Sequence, residues 1–498
     1  MDTEPARPRA LARPHVTPAR ASALACAALV GGCVMGPNFE RPHATPPAAF
    51  DSLAGLPADL SGKPVATPYD GTRWWSVFKD PVLDGLVDEA RRQNLDLQAA
   101  ALRIEEARAQ LGAARSQGWP SVSGMGIGGR QRASQNGFFS ALSGGGQQQG
   151  GSQGGAGAPQ QPAPSPYSDL FQIGFDATWE LDLWGKARRG VEAANAGVES
   201  AEQARGSALI SLTAEVARTY LNLRGAQHQR QIVEADIADE QQLLRLVESR
   251  SRNGFGSKAD SVQQQAQLSA SQAQLPAIAQ AIAQARNGLA LLLALPPGAL
   301  AQRLDAVPAA DIALPPAVPV GLPGDLLRRR PDVLKAEADL HAATAKVGQA
   351  KAQLFPSITL GGFGGLQSVH ASSLTDWASR FWAGGAQVSI PIFEGGKLKA
   401  QIRTADVQMK EAALAWRGTV LSAYHDADNA LEAYADEQRH AAALARALAD
   451  ARRSDELMRS RQRSGFVSMI EVLDAGRQVH QAEQQALQSR VAAATDLV

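Results

Sequence analysis

The chain has 498 residues, with 49 Lys and Arg against 49 Asp and Glu, so its formal net charge is zero. A balanced chain without a basic block excludes an electrostatically driven nucleic-acid partner. No stretch approaches the roughly 18 to 20 apolar residues of a spanning helix, which excludes a multi-span helical membrane protein. Cys26 and Cys33 are the only cysteines, which excludes a disulfide scaffold and a Cys-based metal site.

The N-terminus reads as an export signal over residues 1–32. Arg7, Arg9, Arg13 and Arg20 give a positive start, and residues 21–30, ASALACAALV, form an apolar segment too short to span a bilayer. Leu29-Val30-Gly31-Gly32-Cys33 resembles a bacterial lipobox. That resemblance implies cleavage before Cys33, a diacylglycerol on its thiol and palmitate-type acylation of the new amine. Several acyl chains on one residue anchor stably, whereas one is marginal. The competing reading is an ordinary cleaved signal with an incidental Cys, and Cys26 is the weaker acceptor. Val34, not Asp, follows Cys33, which by resemblance to sorted lipoproteins implies delivery to the outer membrane.

A lipidated N-terminal segment over 33–85 precedes an internal repeat, 86–300 and 331–498, joined by a linker at 301–330. Gly112, Ala114, Pro120, Ser121 and Gly129 recur at an offset of 236 as Gly348, Ala350, Pro356, Ser357 and Gly365. Gly185-Lys186 and Gly254-Phe255 recur at an offset of 211 as Gly396-Lys397 and Gly465-Phe466. The first copy therefore carries an insertion, and the Gly/Gln/Pro tract 143–166 accounts for it as a solvent loop.

Each copy predicts helix, strand, loop, strand, very long helix, break and helix. The runs 186–252 and 397–463 contain no Pro. Their apolar positions step by threes and fours, as in Leu209, Leu212, Val216, Tyr220 and Leu223, the spacing of a coiled-coil seam. Ser257 and Ser468 are the expected N-caps after each break. Four strands are predicted, near 119–130, 169–183, 356–366 and 384–393. In Phe171–Asp182 apolar and polar residues alternate, giving one greasy and one wet face.

The predicted fold class is therefore an α+β membrane protein, mostly long coiled-coil helices plus four transmembrane β-strands per chain. A four-stranded sheet in lipid leaves edge N–H and C=O groups unsatisfied. Three copies would close a twelve-stranded barrel and gather the helices into an α-helical barrel.

Gly36-Pro37-Asn38-Phe39-Glu40-Arg41-Pro42, Trp74-Trp75-Ser76-Val77-Phe78-Lys79-Asp80-Pro81, Leu326-Leu327-Arg328-Arg329-Arg330-Pro331-Asp332-Val333 and Ala352-Gln353-Leu354-Phe355-Pro356-Ser357-Ile358 resemble the signature segments of the TolC/OprM-like outer-membrane factors of tripartite efflux systems, within them the NodT-type lipoproteins. The resemblance covers residues 33–498. It implies a homotrimer in outer-membrane lipid, docked to a periplasmic membrane-fusion adaptor and an inner-membrane RND-type pump, passing drugs or other small compounds. The alternative is the exit channel of a type I protein secretion system.

The resemblance also places a periplasmic gate where the second long helix turns into the last one. Ile470 would narrow the aperture, while Glu471 and Asp474, sharing a face at i and i+3, would form acidic rings that filter cations. Mutual repulsion would raise their pKa values. Asp260 occupies the position of Glu471 in the first copy. The competing reading is that acids in a first turn serve the helix dipole alone.

An enzyme is not expected, nor a nucleic-acid partner, a cofactor or a metal. Gly124-x-Gly126-x-x-Gly129 satisfies the dinucleotide pattern only as a string, since RQRASQNG and not a helix follows it. His228, His425 and His440 are expected to be solvated, and Arg328 to Arg330 to make structural ion pairs. The lipobox makes a direct prediction. Cys33→Ser abolishes palmitate incorporation in cells; label persisting in that variant refutes the assignment.

Overall fold

The computed structural model describes residues 34–53, 63–65, 71–132, 167–306, 314–315, 317–319 and 323–498. Cys26, Cys33 and the tract 143–166 lie outside the described residues. In chain order the elements are β1 (Lys63–Val65), α1 (Pro81–Gln93), α2 (Leu95–Ser116), β2 (Ser121–Arg132), β3 (Tyr167–Leu181), α3 (Lys186–Arg252), α4 (Lys258–Gln272), α5 (Gln274–Leu292), α6 (Ala301–Leu304), β4 (Ala317–Pro319), α7 (Pro323–Arg329), α8 (Pro331–Ala352), β5 (Ser357–Ser368), β6 (Arg380–Ser389), α9 (Lys397–Arg463) and α10 (Met469–Asp496). No described helix is long and apolar enough to cross a membrane.

The duplication is visible in the element boundaries. Helices α3 and α9 are both 67 residues long, and α2 and α8 are both 22. Strands β2 and β5 both have 12 residues. The compact units do not follow the repeats in sequence. One comprises 1–39, 109–195 and 341–410, the other 40–108, 196–340 and 411–498.

The first unit holds an antiparallel sheet in the order β2-β3-β5-β6. Its register gathers most of the large apolar side chains on one face, while Met125, Ile127, Phe363 and Phe381 lie on the other. Gly124, Phe175, Gly364 and Trp382 form one cross-strand row, and Val122, Ala177, Gly362 and Gly384 another. Because side chains alternate along a strand, that face carries Ile173, Phe175, Trp179, Leu360, Trp382 and Val388, all exposed. The opposite face carries Ser121 against Thr178, Ser123 against Asp176 and Thr359 against Gln387. There the Ser123 hydroxyl donates to Asp176 at 2.5 Å. Phe175 lies over Gly124 and Phe171 over Gly128, the pairing by which aromatic rings cover strand glycines.

One strand differs from expectation. β6 spans Arg380–Ser389, not 384–393, so Ile390 and Ile392 fall outside it. Pro391 has no N–H to give to the ladder, whereas Glu180 at the equivalent position of the first copy continues β3. The Gly124-to-Gly129 string lies wholly within β2.

The N-terminal segment 34–39 clamps onto this same unit. Met35 N–H donates to the Trp184 carbonyl at 3.1 Å. Buried Arg189 donates to the Met35 carbonyl at 3.1 Å and to Asn38 at 2.7 Å, and Phe39 stacks on His341. Gly36 adopts φ +91°, and a Cβ there would stand 2.4 Å from the Cα of Gly348, so only glycine fits.

The second unit is helical apart from the two-stranded parallel pair β1–β4. The seam of α3 is its core: Leu212, Val216, Tyr220 and Leu223 are buried among Trp75, Leu83, Leu86 and Val87 and against Leu268, Ile278, Ile282 and Leu289 of α4 and α5. The corresponding seam of α9 is thinner, with Trp416, Val420 and Ala423 around Val333. Arg330 pairs with Asp332 at 2.6 Å and Asp426 at 3.3 Å, a structural role. Asp80 caps α1 by accepting from Val82 and Leu83 N–H, and it accepts from the Tyr220 hydroxyl at 2.6 Å. Asp80→Ala removes both a cap and a buried partner, at a cost of about 2 to 3 kcal/mol. Denaturant unfolding of the purified protein followed by circular dichroism measures this; an unchanged midpoint contradicts it.

Candidate functional site

Both long helices stop in the same way. Phe255 N–H donates to the Arg250 carbonyl at 2.8 Å and Gly254 N–H to Ser251 at 3.2 Å; Phe466 donates to Arg461 and Gly465 to Gln462, both at 2.9 Å. This crossed pair of bonds is a Schellman stop, which needs a left-handed residue. Gly254 and Gly465 supply it at φ 78° and 77°.

The next helices start behind serine caps. Ser257 accepts from Ala259 N–H at 3.0 Å, and its own N–H donates to Asp260 at 3.0 Å. Ser468 N–H donates to Glu471 at 2.5 Å. Asp260 and Glu471 thus complete equivalent capping boxes. Hydrogen bonding from the Ser468 backbone holds the Glu471 carboxyl below its ordinary range, because the local N–H stabilises the charged form.

Asp474 is paired with Arg477, one turn along α10. Ile470 is half-buried and packs on Leu243, Val247 and Leu473, so much of its side chain is taken up by the α3–α10 contact. All four expected residues, Asp260, Ile470, Glu471 and Asp474, line one open cavity of about 440 Å³ together with Arg250, Phe255 and Arg477. Three carboxylates and two guanidiniums line it, with Asp260 and Glu471 engaged in capping and Asp474 in the Arg477 pair. Arg477 escaped the sequence reading although its i,i+3 spacing from Asp474 announces the pair.

A second polar layer lies further along the same helices. His480 Nε2 stands 3.2 Å from Asp239 and Nδ1 3.5 Å from Glu483, and Arg452 pairs with Glu483 at 2.8 Å. Arg459 pairs with Asp455 at 2.7 Å. Asp236 and Glu240 are buried on α3, with Ser271 of α4 donating to Asp236 at 3.2 Å. Burial raises both carboxyls above their ordinary range. The hydrogen bond to Glu483 raises His480, and the same contact lowers Glu483. Sequence spacing gave no sign of this layer, because Asp239 and His480 are 241 positions apart.

An open four-stranded ribbon, greasy on one face, joined to duplicated helical hairpins defines the class: a channel-forming outer-membrane protein of mixed β and helical build. The chain belongs to the outer membrane efflux protein family, which it matches over 86–295 and 322–498. Outer membrane protein OprJ of Pseudomonas aeruginosa is 32% identical over 458 residues, 92% of this chain and 89% of that protein. Nodulation protein T of Rhizobium leguminosarum bv. trifolii is 29% identical over 455 residues, 90% and 89% of the two chains. The solved outer-membrane channel OprN shares 30% identity at a TM-score of 0.77, covering 93% of this chain and 97% of that one. The protein is an outer-membrane efflux channel, not an enzyme.

The His480 layer titrates with a definite sign. A raised folded pKa means the folded state binds more protons, so stability falls as pH rises through it. His480, Asp236 and Glu240 all act in this direction, while the lowered Glu483 and Glu471 act oppositely in the acid range. Wild type therefore gains thermal stability on going from pH 8.5 to about pH 6. In His480→Gln that gain shrinks, and the two proteins converge at alkaline pH; parallel melting curves at every pH refute the assignment.

Proposed function

We propose that the chain is the outer-membrane duct of a tripartite pump: a homotrimer, lipid-anchored at Cys33, that docks to a periplasmic membrane-fusion adaptor and an inner-membrane RND-type pump and passes small compounds. The supporting observation is the strand order. β2 and β6 have no outer partner among the described residues, and the four strands alternate in direction. β6 of one copy can therefore pair antiparallel with β2 of the next, closing an all-antiparallel ring without a free edge. Exposed Leu414, Leu421 and Leu457 on α9 are apolar surface suited to neighbouring copies. The substrate is recognised by the pump, and the duct need only conduct it.

The repeat boundaries 86–300 and 331–498 are the units of this design, and the cavity at the helix breaks is its gate. Asp260, Ile470, Glu471 and Asp474 are the gate residues, with Arg477 as the internal counter-ion of Asp474. In a trimer the Glu471 and Asp474 carboxylates recur three times around one axis, where cations can bind.

Two measurements test the proposal. Phe175→Arg places a charge on the lipid face at about 2 to 4 kcal/mol per copy and prevents trimer assembly, whereas Asp176→Arg on the opposite face assembles. Equal assembly of the two variants sinks the barrel. In planar bilayers, Glu471→Ala with Asp474→Ala relieves block by polyvalent cations while keeping the trimer; unchanged block moves the constriction elsewhere.

A further inference from the structure

The apolar face of the sheet carries charge at one end only. Near the starts of α3 and α9 it presents Val122, Leu181, Ile358 and Val388. At the other end, by strand alternation, it presents Arg130 and Arg132 of β2, Tyr167 and Asp169 of β3, and Arg380 of β6. From Val122 to Arg130 the strand covers about nine residues, the span of a tilted membrane strand. The arginines therefore stand where hydrocarbon gives way to headgroups.

Along the hydrogen-bonded ladder the strand ends are stepped, so that Arg380 stands opposite the level of Gly126, six residues along β2 from Arg132. Arg132 faces Tyr167, but Ser368 at the end of β5 faces Phe171, and Arg380 faces Leu366. The strand ends step successively along the ladder, as tilted barrel strands require. In the proposed ring, β6 of one copy adjoins β2 of the next, so Arg380 and the β2 arginines lie on adjacent strands, and continuing the same step brings them towards one height.

The side chains are held in place. Arg130 and Arg132 lie 5.5 and 5.7 Å from the centroid of the Tyr167 ring, and Arg380 covers Trp377. Arg130 pairs with Asp169 at 3.1 Å. No ion pair joins Arg132 or Arg380 to a described carboxylate. Residues 133–166 include no charged residue, and 369–379 adds only Asp376 and His370. Positive charge is thus left over on a surface that meets lipid.

We propose that Arg132 and Arg380, assisted by Arg130, bind the phosphate of an outer-leaflet glycolipid whose acyl chains lie on the apolar face below. Guanidinium groups recognise phosphate bidentately, and a free anion would not use the adjoining greasy surface. The inference rests on the barrel proposed above.

The test uses full-length trimer, stripped of lipid in non-ionic detergent, with labelled bis-phosphoryl lipid A as probe. Arg132→Gln with Arg380→Gln weakens binding by about tenfold or more, with trimer mass and insertion into phosphatidylethanolamine vesicles unchanged; the Lys variants bind between the two. Dephosphorylated lipid A binds wild type as poorly as bis-phosphoryl lipid A binds the Gln variant. Equal binding by wild type and the Gln variant overturns the site, as does equal binding of the dephosphorylated lipid. Displacement of the probe by micromolar inorganic phosphate assigns a soluble anion instead and also overturns it. A wild-type chain that neither trimerises nor inserts removes the barrel and this site together, whereas loss of the Gln effect on an inserted trimer removes this site alone.

Discussion

Backbone amides on the outer edges of β2 and β6 impose the governing condition on this protein. In water such groups would be solvated; in hydrocarbon each costs several kcal/mol unless paired. Among the described residues no further strand pairs these edges of the four-stranded sheet. The sheet alternates in direction, so in the proposed ring copies of the same chain supply the missing partners. In the proposed ring, assembly answers a demand of the membrane on the backbone, before any contact between helices is considered.

The helical part is organised by duplication, but the two copies are covered differently. The seam of α3 is buried by α1, α4, α5 and the Trp75 segment, whereas α9 has a thinner lining from Val333 and its neighbours. The N-terminal segment therefore completes the first repeat more than the second. Between α3 and α10 the packing carries buried acids and His480, a layer whose net charge depends on protons. Hydrophobic seams fix the register of such helices, and polar layers of this kind make their association conditional on solution chemistry.

Much of this was legible in the sequence because it rests on local chemistry. The ends of α3 and α9 follow from Gly254 and Gly465, whose left-handed backbone is a stop wherever it occurs, and the serine caps beyond them are equally local. The greasy face follows from period-two alternation in β3, and the register extends it through Leu360, Trp382 and Val388, whereas Met125, Ile127, Phe363 and Phe381 break the pattern on the opposite face. The end of β6 was misplaced because hydrophobic alternation continues through Ile390 and Ile392 while Pro391 interrupts the ladder; pattern reports burial and not hydrogen bonding. The capping role of Glu471 is equally local, since a serine followed three residues later by a glutamate is the spacing of a capping box. The His480 layer was out of reach, as it exists only where four helices, two from each half of the chain, converge.

The equal length of α3 and α9 has an evolutionary consequence. One extra heptad in one helix alone would put its glycine stop and capped restart out of step with those of the other, so a single insertion is penalised. Matched insertions in both repeats keep every seam in register and extend the reach of the chain. Length is thus inherited as a paired trait, and divergence between members of such a lineage should proceed by coupled additions or deletions of whole heptads.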